Sequence, residues 1–496
     1  MSESAIEMFA FDNSYARLPD RFYARVVPTK VGDPRVVTVN RPLAELLGVS
    51  AERLASSAGA ALLVGNEIPA GAEPLALAYA GHQFGGFVPQ LGDGRAILLG
   101  EVVGKDGRRR DIQLKGSGRT PFSRGGDGRA ALGPVLREYL VSEAMAALGI
   151  PTTRALAVAT TGERVLREEA LPGAILTRVA ASHVRVGTFE FFAARGDREA
   201  LAALASHALA RHYPHAAGTG NDALALLEQV IDAQADLVAR WLGVGFVHGV
   251  MNTDNTAISG ETLDYGPCAF LDVYDPGKTF SSIDHRGRYA FANQPRVAHW
   301  NMTRLAEALL WLFSDDEAEA VRLATERLDR FPARFEAAHL RVLRAKLGLA
   351  HEDPDDGALA HDLLDRLAAN HVDHTLFFRR LCASAADRAA DAAILPLFDD
   401  PEAFRGWAEA WRRRQALEAR APAAQESEMR HANPAFIPRN HRVEEAIEAA
   451  VRRDDFKPFE VLVDVLANPY EDQPEAAHLT DRPGADQRAY RTFCGT

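Results

Sequence analysis

The sequence predicts an α+β fold of two lobes, with a β-rich N-terminal half that carries one helix and a helical C-terminal half. Short apolar runs broken by Gly and Asp are typical of strands, and they dominate up to about residue 180. From about residue 199 onwards, apolar residues recur at helical spacing instead. A cleft between two such lobes is a common location for a ligand, so we expect the functional site there.

The N-terminal half contains most of the strand signals and one strong helix signal. A hairpin is predicted over 96–103 and 111–114, because Gly104–Gly107 supplies a Gly/Asp turn between two apolar runs. Pro134 suits the first turn of a helix that ends near residue 148, where Gly149 and Pro151 stop it. The other predicted elements are strands at 36–39, 154–159, 164–167 and 174–179 and a short helix at 42–47.

The C-terminal half opens with a long core helix. Its apolar stripe over several turns consists of Leu227, Ile231, Ala235, Val238 and Leu242. An irregular stretch from 246 to 270 follows, and from about residue 300 the chain is predicted to be helix and loop.

Composition argues against several classes of function. The formal net charge of −12 disfavours nucleic acid or an anionic membrane as a general partner, so a phosphate site must be built from a local basic cluster. The 3 cysteines argue against a disulfide framework and for a reducing compartment. No apolar run is long enough to span a bilayer, and the start lacks the features of a signal peptide. We therefore expect a cytoplasmic, bacterial-type protein.

Two familiar nucleotide-binding motifs are incomplete. Gly277-Lys278-Thr279 resembles the end of a P-loop, but Asp272 stands where the first glycine is required. Gly92-Asp-Gly94 is not extended to a dinucleotide-binding fingerprint, because Ile97 occupies the last glycine position. Neither type of site is supported.

Four other features occur in a distinctive order. Lys115 ends a predicted strand and Glu138 lies in the next helix, an arrangement that kinases use to fix a cation against nucleotide phosphates. After the long helix, His248–Asn255 resembles a kinase catalytic loop, and Asp264-Tyr-Gly resembles the metal-binding D-F-G. Each feature alone is weak, since a surface Lys or Glu is ordinary. Their order together predicts a protein-kinase-like fold, with a β-rich N-lobe and a helical C-lobe.

One position departs from the kinase pattern. The catalytic base of a kinase lies two residues after the loop His, and here that residue is Val250, which cannot accept a proton. Asp254, directly before Asn255, is a carboxylate further along the same loop that can serve instead.

Several stretches together resemble the selenoprotein O family. They are Gln90–Arg95, Gln113–Arg129, His248–Asn255 and Asp264–Pro267, and the second of them is highly specific. The resemblance implies a kinase-like fold in which ATP binds flipped, so that its α-phosphate faces the acceptor. It implies transfer of AMP to Ser, Thr or Tyr hydroxyls of proteins, and some members of the family use UTP with manganese.

The resemblance also assigns roles to individual residues. It makes Asp254 the proton acceptor, Asn255 and Asp264 the ligands of Mg²⁺ or Mn²⁺, and Glu138 the partner of Lys115. The nucleotide contacts that it implies are Gly92, Gly94, Arg95, Lys115, Asp127, Gly128, Arg178, Arg185 and Asp264. Without the resemblance, Arg178 and Arg185 would be interpreted as a solvated strand edge and a loop.

Cys494, third from the end, lies where selenoprotein members of the family carry selenocysteine. The resemblance implies a redox thiol, with Cys268 or Cys382 as the candidate disulfide partner. The alternative is an inert free thiol.

The kinase-like interpretation divides the chain into three parts: an N-terminal extension over 1–80, an N-lobe with nucleotide-binding loops over 81–185, and a helical C-lobe over 186–496. Its function is predicted to be protein nucleotidylyl transfer from ATP with release of pyrophosphate, including self-modification, and without a nucleic-acid or membrane partner. The alternatives are an ATP-binding pseudokinase scaffold and a kinase that transfers the γ-phosphate. Val250 argues against the kinase, and the intact set of Lys115, Glu138, Asn255 and Asp264 argues against the scaffold.

Overall fold

An antiparallel sheet forms the N-terminal lobe in the computed structural model, which describes residues 8–218, 220–484 and 492. The strands are β1 (Tyr23–Arg25), β2 (Arg35–Val39), β3 (Leu75–Leu77), β4 (Gly81–Gln83), β5 (Gly86–Val88), β6 (Ala96–Val103), β7 (Arg109–Lys115), β8 (Ala130–Ala131), β9 (Arg154–Leu166), β10 (Ala170–Ala180), β11 (Phe246–Val247) and β12 (Ala269–Phe270). The main sheet has the order β1-β3-β6-β7-β10-β9-β2, and β8 pairs with β10. Two small hairpin-like pairs, β4–β5 and β11–β12, lie outside it.

The helices occupy mainly the C-terminal part. They are α1 (Arg41–Leu46), α2 (Ala51–Leu54), α3 (Ser57–Leu63), α4 (Leu132–Ala147), α5 (Val186–Ala193), α6 (Arg198–His212), α7 (Asp222–Val244), α8 (Gln294–Phe313), α9 (Glu317–Leu328), α10 (Phe331–Leu347), α11 (Asp356–Ala369), α12 (His374–Ala386), α13 (Asp391–Ile394), α14 (Pro401–Gln415), α15 (Pro422–Ala432), α16 (Asn440–Arg453) and α17 (Lys457–Leu466). The predicted α+β fold, with a β-rich N-terminal lobe and a helical C-terminal part, is confirmed.

The predicted β6–β7 hairpin is present; β7 begins two residues earlier than expected, at Arg109, and ends at Lys115 as expected. In the main sheet, Lys115 lies opposite Ala96 on β6 and Leu176 on β10. The register therefore places the Lys115 side chain at the end of a central strand, beside the strand that carries Arg178.

The two separate strands predicted at 154–159 and 164–167 are instead one strand, β9. The sequence Thr160-Thr161-Gly162 resembles a turn, but Gly162 adopts a φ of +72° within the strand. The pairing of β9 with β10 shifts register opposite this point, between Pro172 and Ala174. The glycine is thus absorbed as an irregularity in the ladder, and it does not end the strand.

The long helix α7 has the ends that its sequence predicts. The side chain of Asn221 accepts hydrogen bonds from the backbone N–H of Ala223 and Leu224, and Gly245 follows the helix with a φ of +75°. Its predicted stripe, including Leu227 and Val238, is buried in the largest apolar core cluster. The helix thus supports the segment His248–Asn255, the predicted catalytic loop, which follows β11.

Elements from both ends of the chain pack on the N-terminal lobe. Strands β1, β2 and β3 come from the first 80 residues, yet they are part of the main sheet. Helices α16 and α17 lie against α4, where the rings of Tyr139 and Phe459 are 5.7 Å apart and Arg137 Nη1 lies 2.7 Å from Glu444 Oε1. The division of the chain into three parts stays a prediction. Over the described residues, none of the helices has the length and apolar character needed to cross a membrane.

Lys346, on α10, is a buried cation with no carboxylate partner among the residues that the structure describes. Its Nζ lies 4.1 Å from the centre of the Phe378 ring, and burial lowers the pKa of Lys346 to about 7. Because this pKa lies below that of an unfolded chain, the unfolded state binds one more proton between about pH 7 and pH 10.5. The free energy of unfolding that is lost by burying charged Lys346 is therefore greatest below pH 7. This loss becomes smaller as the pH rises from about 7 to 10.5.

We accordingly expect Lys346→Met to raise the free energy of unfolding by roughly 2–4 kcal/mol at pH 7 and by much less at pH 10. Urea denaturation at both pH values measures the difference. Lys457→Met is the control, since the Lys457 side chain is 75% exposed. An equal gain in the free energy of unfolding at both pH values would show that the protonation of Lys346 does not cause the pH dependence.

Candidate active site

A buried ion-pair cluster lies where β7, β10 and α4 meet. Lys115 Nζ is 2.5 Å from Glu138 Oε2 and 2.6 Å from Asp264 Oδ1. Arg178 Nε donates a 2.8 Å hydrogen bond to Glu138 Oε1, and Arg178 Nη2 lies 3.6 Å from Asp264 Oδ1. The structure therefore brings Lys115, Glu138, Arg178 and Asp264 together, although they are far apart in the chain.

Both carboxylates of this cluster are held in the charged form. Burial raises the pKa of Glu138, but the nearby cations Arg178 and Lys115 outweigh burial, and the pKa is lowered overall. Burial also opposes the charge of Asp264, yet Lys115, Arg178 and Arg95 hold the pKa of that carboxyl well below its usual range. Three cations thus face two carboxylates, which leaves net positive charge for an anionic ligand.

A cavity of about 240 Å³ opens onto the cluster. One wall consists of Arg95, Lys115, Glu138 and Asp264, and the other includes Gly133, Pro134, Glu444 and Ile447 from α4 and α16. A larger cavity, of about 480 Å³, lies among α8, α10 and α11 and contains none of the predicted site residues. The chemistry therefore favours the smaller cavity as the active site.

The backbone of Asp264 is in an uncommon conformation. Its φ of +68° lies in the left-handed region, which costs a non-glycine residue on the order of 1 kcal/mol or more. The next residue, Tyr265, is 1% exposed and its hydroxyl contacts Thr152 Oγ1. The anchored tyrosine and the ion pair with Lys115 together keep the Asp264 carboxylate pointed at the cluster.

The catalytic loop is fixed at its start by His248. This ring is buried, its Nε2 lies 3.1 Å from the Leu263 carbonyl oxygen, and the His248 backbone N–H donates to Gln294 Oε1 at 3.0 Å. Burial lowers the pKa of His248, so the ring is neutral and donates to the carbonyl. His248 thus ties the loop to the segment that carries Asp264, which is a structural role.

Asp254 lies on a short helical turn, Thr253–Asn255, and is 8% exposed. Its Oδ2 accepts a 3.1 Å hydrogen bond from Gln83 Nε2 on β4, whereas its buried Oδ1 has no hydrogen-bond partner among the described residues. Gly81 allows this close approach, since a Cβ at that position would lie 2.6 Å from Asp254 Oδ1. Burial raises the pKa of Asp254 to about 6, a value suited to a general base near neutral pH.

Arg185 holds the backbone of the same turn. Its Nη1 donates to the Asp254 carbonyl oxygen at 3.0 Å, and its Nη2 lies 3.8 Å from Asp93 Oδ1. The guanidinium also stacks over the Tyr79 ring at 4.2 Å. Arg185 is thus a buried cation next to Asp254, at some remove from the Glu138 cluster.

The predicted glycines pack loops against each other. A Cβ on Gly92 would lie 2.3 Å from the Phe122 ring, and one on Gly94 would lie 2.9 Å from the Phe122 carbonyl oxygen. Gly128 has a φ of +68°, and a Cβ there would lie 2.1 Å from the Gly118 carbonyl oxygen. Asp127 is exposed and pairs with Arg167 at 2.8 Å. The structure does not bring Asp127 into the ion-pair cluster.

Three site residues were not singled out in the sequence. Gln83 contacts Asp254, and the side chain of Asn252 accepts a 3.1 Å hydrogen bond from the Phe84 backbone N–H. Asp93, 3% exposed, accepts from the Leu77 backbone N–H at 3.1 Å and lies near Arg185. Asp93 falls within the stretch Gln90–Arg95, and this motif is the sequence feature that could have identified it as a site residue.

The residues predicted to bind metal fit a hard cation. Asn255 Nδ2 donates to the Val250 carbonyl oxygen at 3.0 Å, which leaves Asn255 Oδ1 without a hydrogen bond to any described residue. Asp264 Oδ2 is likewise free of such bonds over the described part of the chain, because Lys115 contacts Oδ1. No group of three His, Cys, Asp or Glu residues within that part could hold a metal by itself. Two oxygen ligands therefore require phosphate and water to complete a shell.

Comparison with known proteins gives consistent matches over nearly the whole chain. The sequence model of the family described as "Protein adenylyltransferase SelO" matches residues 6–467. A relative from Methylorubrum populi, "Protein nucleotidyltransferase YdiU", is 64% identical over 495 residues, which is 99% of each chain. Relatives with the same name from Rhodopseudomonas palustris and Bradyrhizobium diazoefficiens are each 61% identical over 488 residues, covering 98% of this chain and 99% of theirs.

Proposed function

The chain belongs to the SelO family of protein adenylyltransferases, and from this premise we propose that it transfers AMP from ATP to Ser, Thr and Tyr hydroxyls of proteins, itself included. It is an enzyme of the nucleotidyltransferase type. In the proposed reaction, the hydroxyl oxygen of the acceptor bonds to the α-phosphorus of ATP. The bond from that phosphorus to the oxygen that bridges to the β-phosphate breaks, and pyrophosphate leaves.

The observation that carries the proposal is the position of Asp254. A kinase base would stand at Val250, and the carboxylate displaced along the same loop is buried beside the metal-ligand candidate Asn255. With its pKa raised to about 6, Asp254 is mostly ionised at neutral pH and takes the acceptor proton as the oxygen–phosphorus bond forms. Because the base lies at Asp254 and not at the kinase position, it suits a reaction at the α-phosphorus of ATP, which is displaced from the γ-phosphorus that a kinase transfers.

The positive charges of Lys115, Arg178 and Arg185 can stabilise pyrophosphate, the anionic leaving group of the proposed reaction. Lys115 lines the cavity, Arg178 lies behind it against Glu138, and Arg185 lies beside the Asp254 turn. We infer that these three residues bind the β- and γ-phosphates and stabilise the charge that pyrophosphate gains as it departs. Glu138 positions Lys115 and Arg178 through its two oxygens. Arg95 joins them at the cavity wall, and Gly92, Gly94, Asp127 and Gly128 shape the loops around the nucleotide.

The metal role follows from the two free oxygens of Asn255 and Asp264. Carboxylate and amide oxygens suit Mg²⁺ and Mn²⁺ alike. When bound, such an ion neutralises phosphate charge and polarises the phosphorus. The chain's contribution is to hold the Asn255 side chain through the Val250 carbonyl oxygen and the Asp264 carboxylate through Lys115, which leaves the other oxygen of each side chain available to a metal ion. UTP is a second candidate donor, and competition between ATP and UTP would rank the two.

We further infer a cytoplasmic enzyme, because the few cysteines suit a reducing compartment.

Mass spectrometry of the protein after incubation with ATP and Mg²⁺ tests this function. We expect AMP adducts on Ser, Thr or Tyr and free pyrophosphate in solution. A phosphoryl adduct in place of AMP would make the protein a kinase. Binding of ATP without any adduct, on the protein or on added acceptor proteins, would make it a scaffold.

The redox proposal concerns Cys494, which lies outside the described residues. Thr492 Oγ1 donates a 2.6 Å hydrogen bond to the carbonyl oxygen of Pro267, the residue directly before Cys268. Two further residues reach about 7 Å, comparable to the Cα separation in a disulfide. Cys382 is buried instead beside Asn433, in the helical core. We propose a reversible Cys268–Cys494 disulfide that forms by exchange with a low-molecular-weight disulfide such as oxidised glutathione. The Cys494 thiolate attacks that disulfide first and releases one glutathione thiol, because burial raises the pKa of Cys268 to about 12. The Cys268 sulfur then loses its proton and attacks the Cys494 sulfur, which releases the second glutathione thiol.

Non-reducing peptide mapping after treatment with oxidised glutathione should show a peptide that links Cys268 to Cys494. Cys382→Ser should leave that peptide in place, and Cys268→Ser should remove it. Free thiols alone, or a link to Cys382, would contradict the assignment.

A further inference from the structure

The β4–β5 hairpin packs on the turn that carries Asp254. The His82 backbone N–H donates to Thr253 Oγ1 at 2.6 Å, and Gln83 Nε2 donates to Asp254 Oδ2 at 3.1 Å. The Phe84 backbone N–H donates to Asn252 Oδ1 at 3.1 Å. Three successive hairpin residues thus bind three successive residues of the loop. An acceptor hydroxyl that reaches Asp254 must therefore arrive next to this hairpin.

The hairpin continues into a surface of rings and one guanidinium group, which we name the acceptor face: Phe84, Phe87, Arg288 and Trp300. Phe84 is 37% exposed and Phe87 is 42% exposed. The His82 ring joins Phe87 to Trp300, at centroid distances of 4.9 Å and 5.3 Å. Exposed aromatic and Arg side chains are the residue types that most often carry the binding energy of protein interfaces.

Arg288 is the charged member of the acceptor face. Its guanidinium carbon lies 4.7 Å from the centre of the Trp300 ring and 5.7 Å from that of Tyr289. No ion pair joins Arg288 to a carboxylate among residues 8–218, 220–484 and 492, and its Nε is buried without a hydrogen-bond partner. The nearby Asp284 carboxylate is occupied by the backbone N–H groups of Arg288 and Tyr289. The guanidinium is therefore held in place by rings, and no carboxylate of the described residues forms an ion pair with it.

Arg288 and Asp254 are connected through the hairpin tip. A Cβ on Gly85 would lie 3.6 Å from the Arg288 guanidinium carbon, and Gln83, two residues earlier, contacts Asp254. Two residues span at most about 7 Å, and the Gln83 side chain and the two contacts lengthen this path to roughly 18 Å at most, a distance that about five residues of extended peptide span. An acidic side chain within about five residues of the accepting hydroxyl would therefore reach Arg288.

We propose that the acceptor face docks the polypeptide to be modified, and that Arg288 selects acceptors with an acidic side chain close to the accepting hydroxyl. This inference rests on the proposed function and names the acceptor class of the same site. The protein as a whole carries a net charge of −12, so an acidic acceptor needs a local cation to approach it. Arg288 supplies that cation, and Phe84, Phe87 and Trp300 supply the apolar contact area around it.

A positional-scanning peptide library with a central Ser, Thr or Tyr, incubated with α-phosphate-labelled ATP, tests the inference. We expect the unaltered protein to label peptides with a nearby Asp or Glu roughly threefold to tenfold faster than their Lys counterparts. Arg288→Glu should reverse this preference, and Arg288→Gln should abolish it, with the KM for ATP unchanged in both. A reversal of charge preference is a result that mere loss of folding cannot produce.

The matched control is Arg296→Glu, which makes the same charge change at an exposed position on α8. It should keep the acidic preference, because Arg296 is not part of the acceptor face. Label transfer without an acidic preference, or a preference that Arg288→Glu leaves unchanged, would overturn this inference alone. Absence of α-label transfer by the unaltered protein would overturn the proposed function, and the inference with it.

Discussion

Asp264→Ala is expected to abolish transfer while leaving the fold intact. The variant loses the free Oδ2 proposed to bind the metal and also removes a carboxylate from the cavity wall. Lys115 keeps its partner Glu138 at 2.5 Å, so the buried lysine is not left unpaired and the N-lobe should remain folded. Transfer of α-phosphate label across a Mg²⁺ titration, together with the thermal unfolding midpoint, measures both parts of the prediction.

Asp362→Ala is the matched control, because Asp362 is 50% exposed on α11 and its one ion pair within the described part of the chain is with Arg366 in the next turn. It should transfer at the normal rate. Near-normal activity of Asp264→Ala at ordinary Mg²⁺ concentration would exclude Asp264 as a metal ligand.

Asp254→Ala is expected to lower the rate of transfer roughly 10²–10⁴-fold while ATP still binds. The reason is chemical: Asp254 touches none of the cluster cations, and its carboxylate contacts Gln83 from the hairpin instead. Arg185 binds the backbone carbonyl of Asp254, which the alanine retains. The KM for ATP should therefore change little, whereas kcat falls.

Asp315→Ala serves as the control, since that carboxylate is 90% exposed and pairs with Arg198. Rates within about threefold of the unaltered protein for Asp254→Ala would mean that another group accepts the proton.

Much of the fold was predictable because it depends on local signals. The ends of α7 follow from Asn221 and Gly245, and the β6–β7 hairpin follows from its Gly/Asp turn. The continuity of β9 was not predictable, since Gly162 resembles a turn unless its partner strand absorbs the irregularity. The three strands from the first 80 residues join the sheet through pairing partners that sequence periodicity does not specify.

Some contacts of the candidate site were likewise predictable from the sequence, and others were not. Lys115 and Glu138 are 23 residues apart, on a strand and the helix that follows, so the order of elements predicted that they lie close together. Gln83 and Asp254 are separated by 171 residues, and no motif links the hairpin to the loop. Arg178 reaches Glu138 only because β10 lies beside β7, a register that the sequence does not show. The Gln83–Asp254 and Arg178–Glu138 contacts were thus beyond sequence reasoning.

The proposed function requires that the α-phosphorus of ATP is the atom transferred to protein. Parallel incubations of the protein with ATP labelled at the α-phosphate or at the γ-phosphate test it most directly. We expect α-label on protein, γ-label only in released pyrophosphate, and loss of the protein-bound label in Asp254→Ala. Protein that acquires γ-label and no α-label would show that the enzyme is a kinase and would contradict this account.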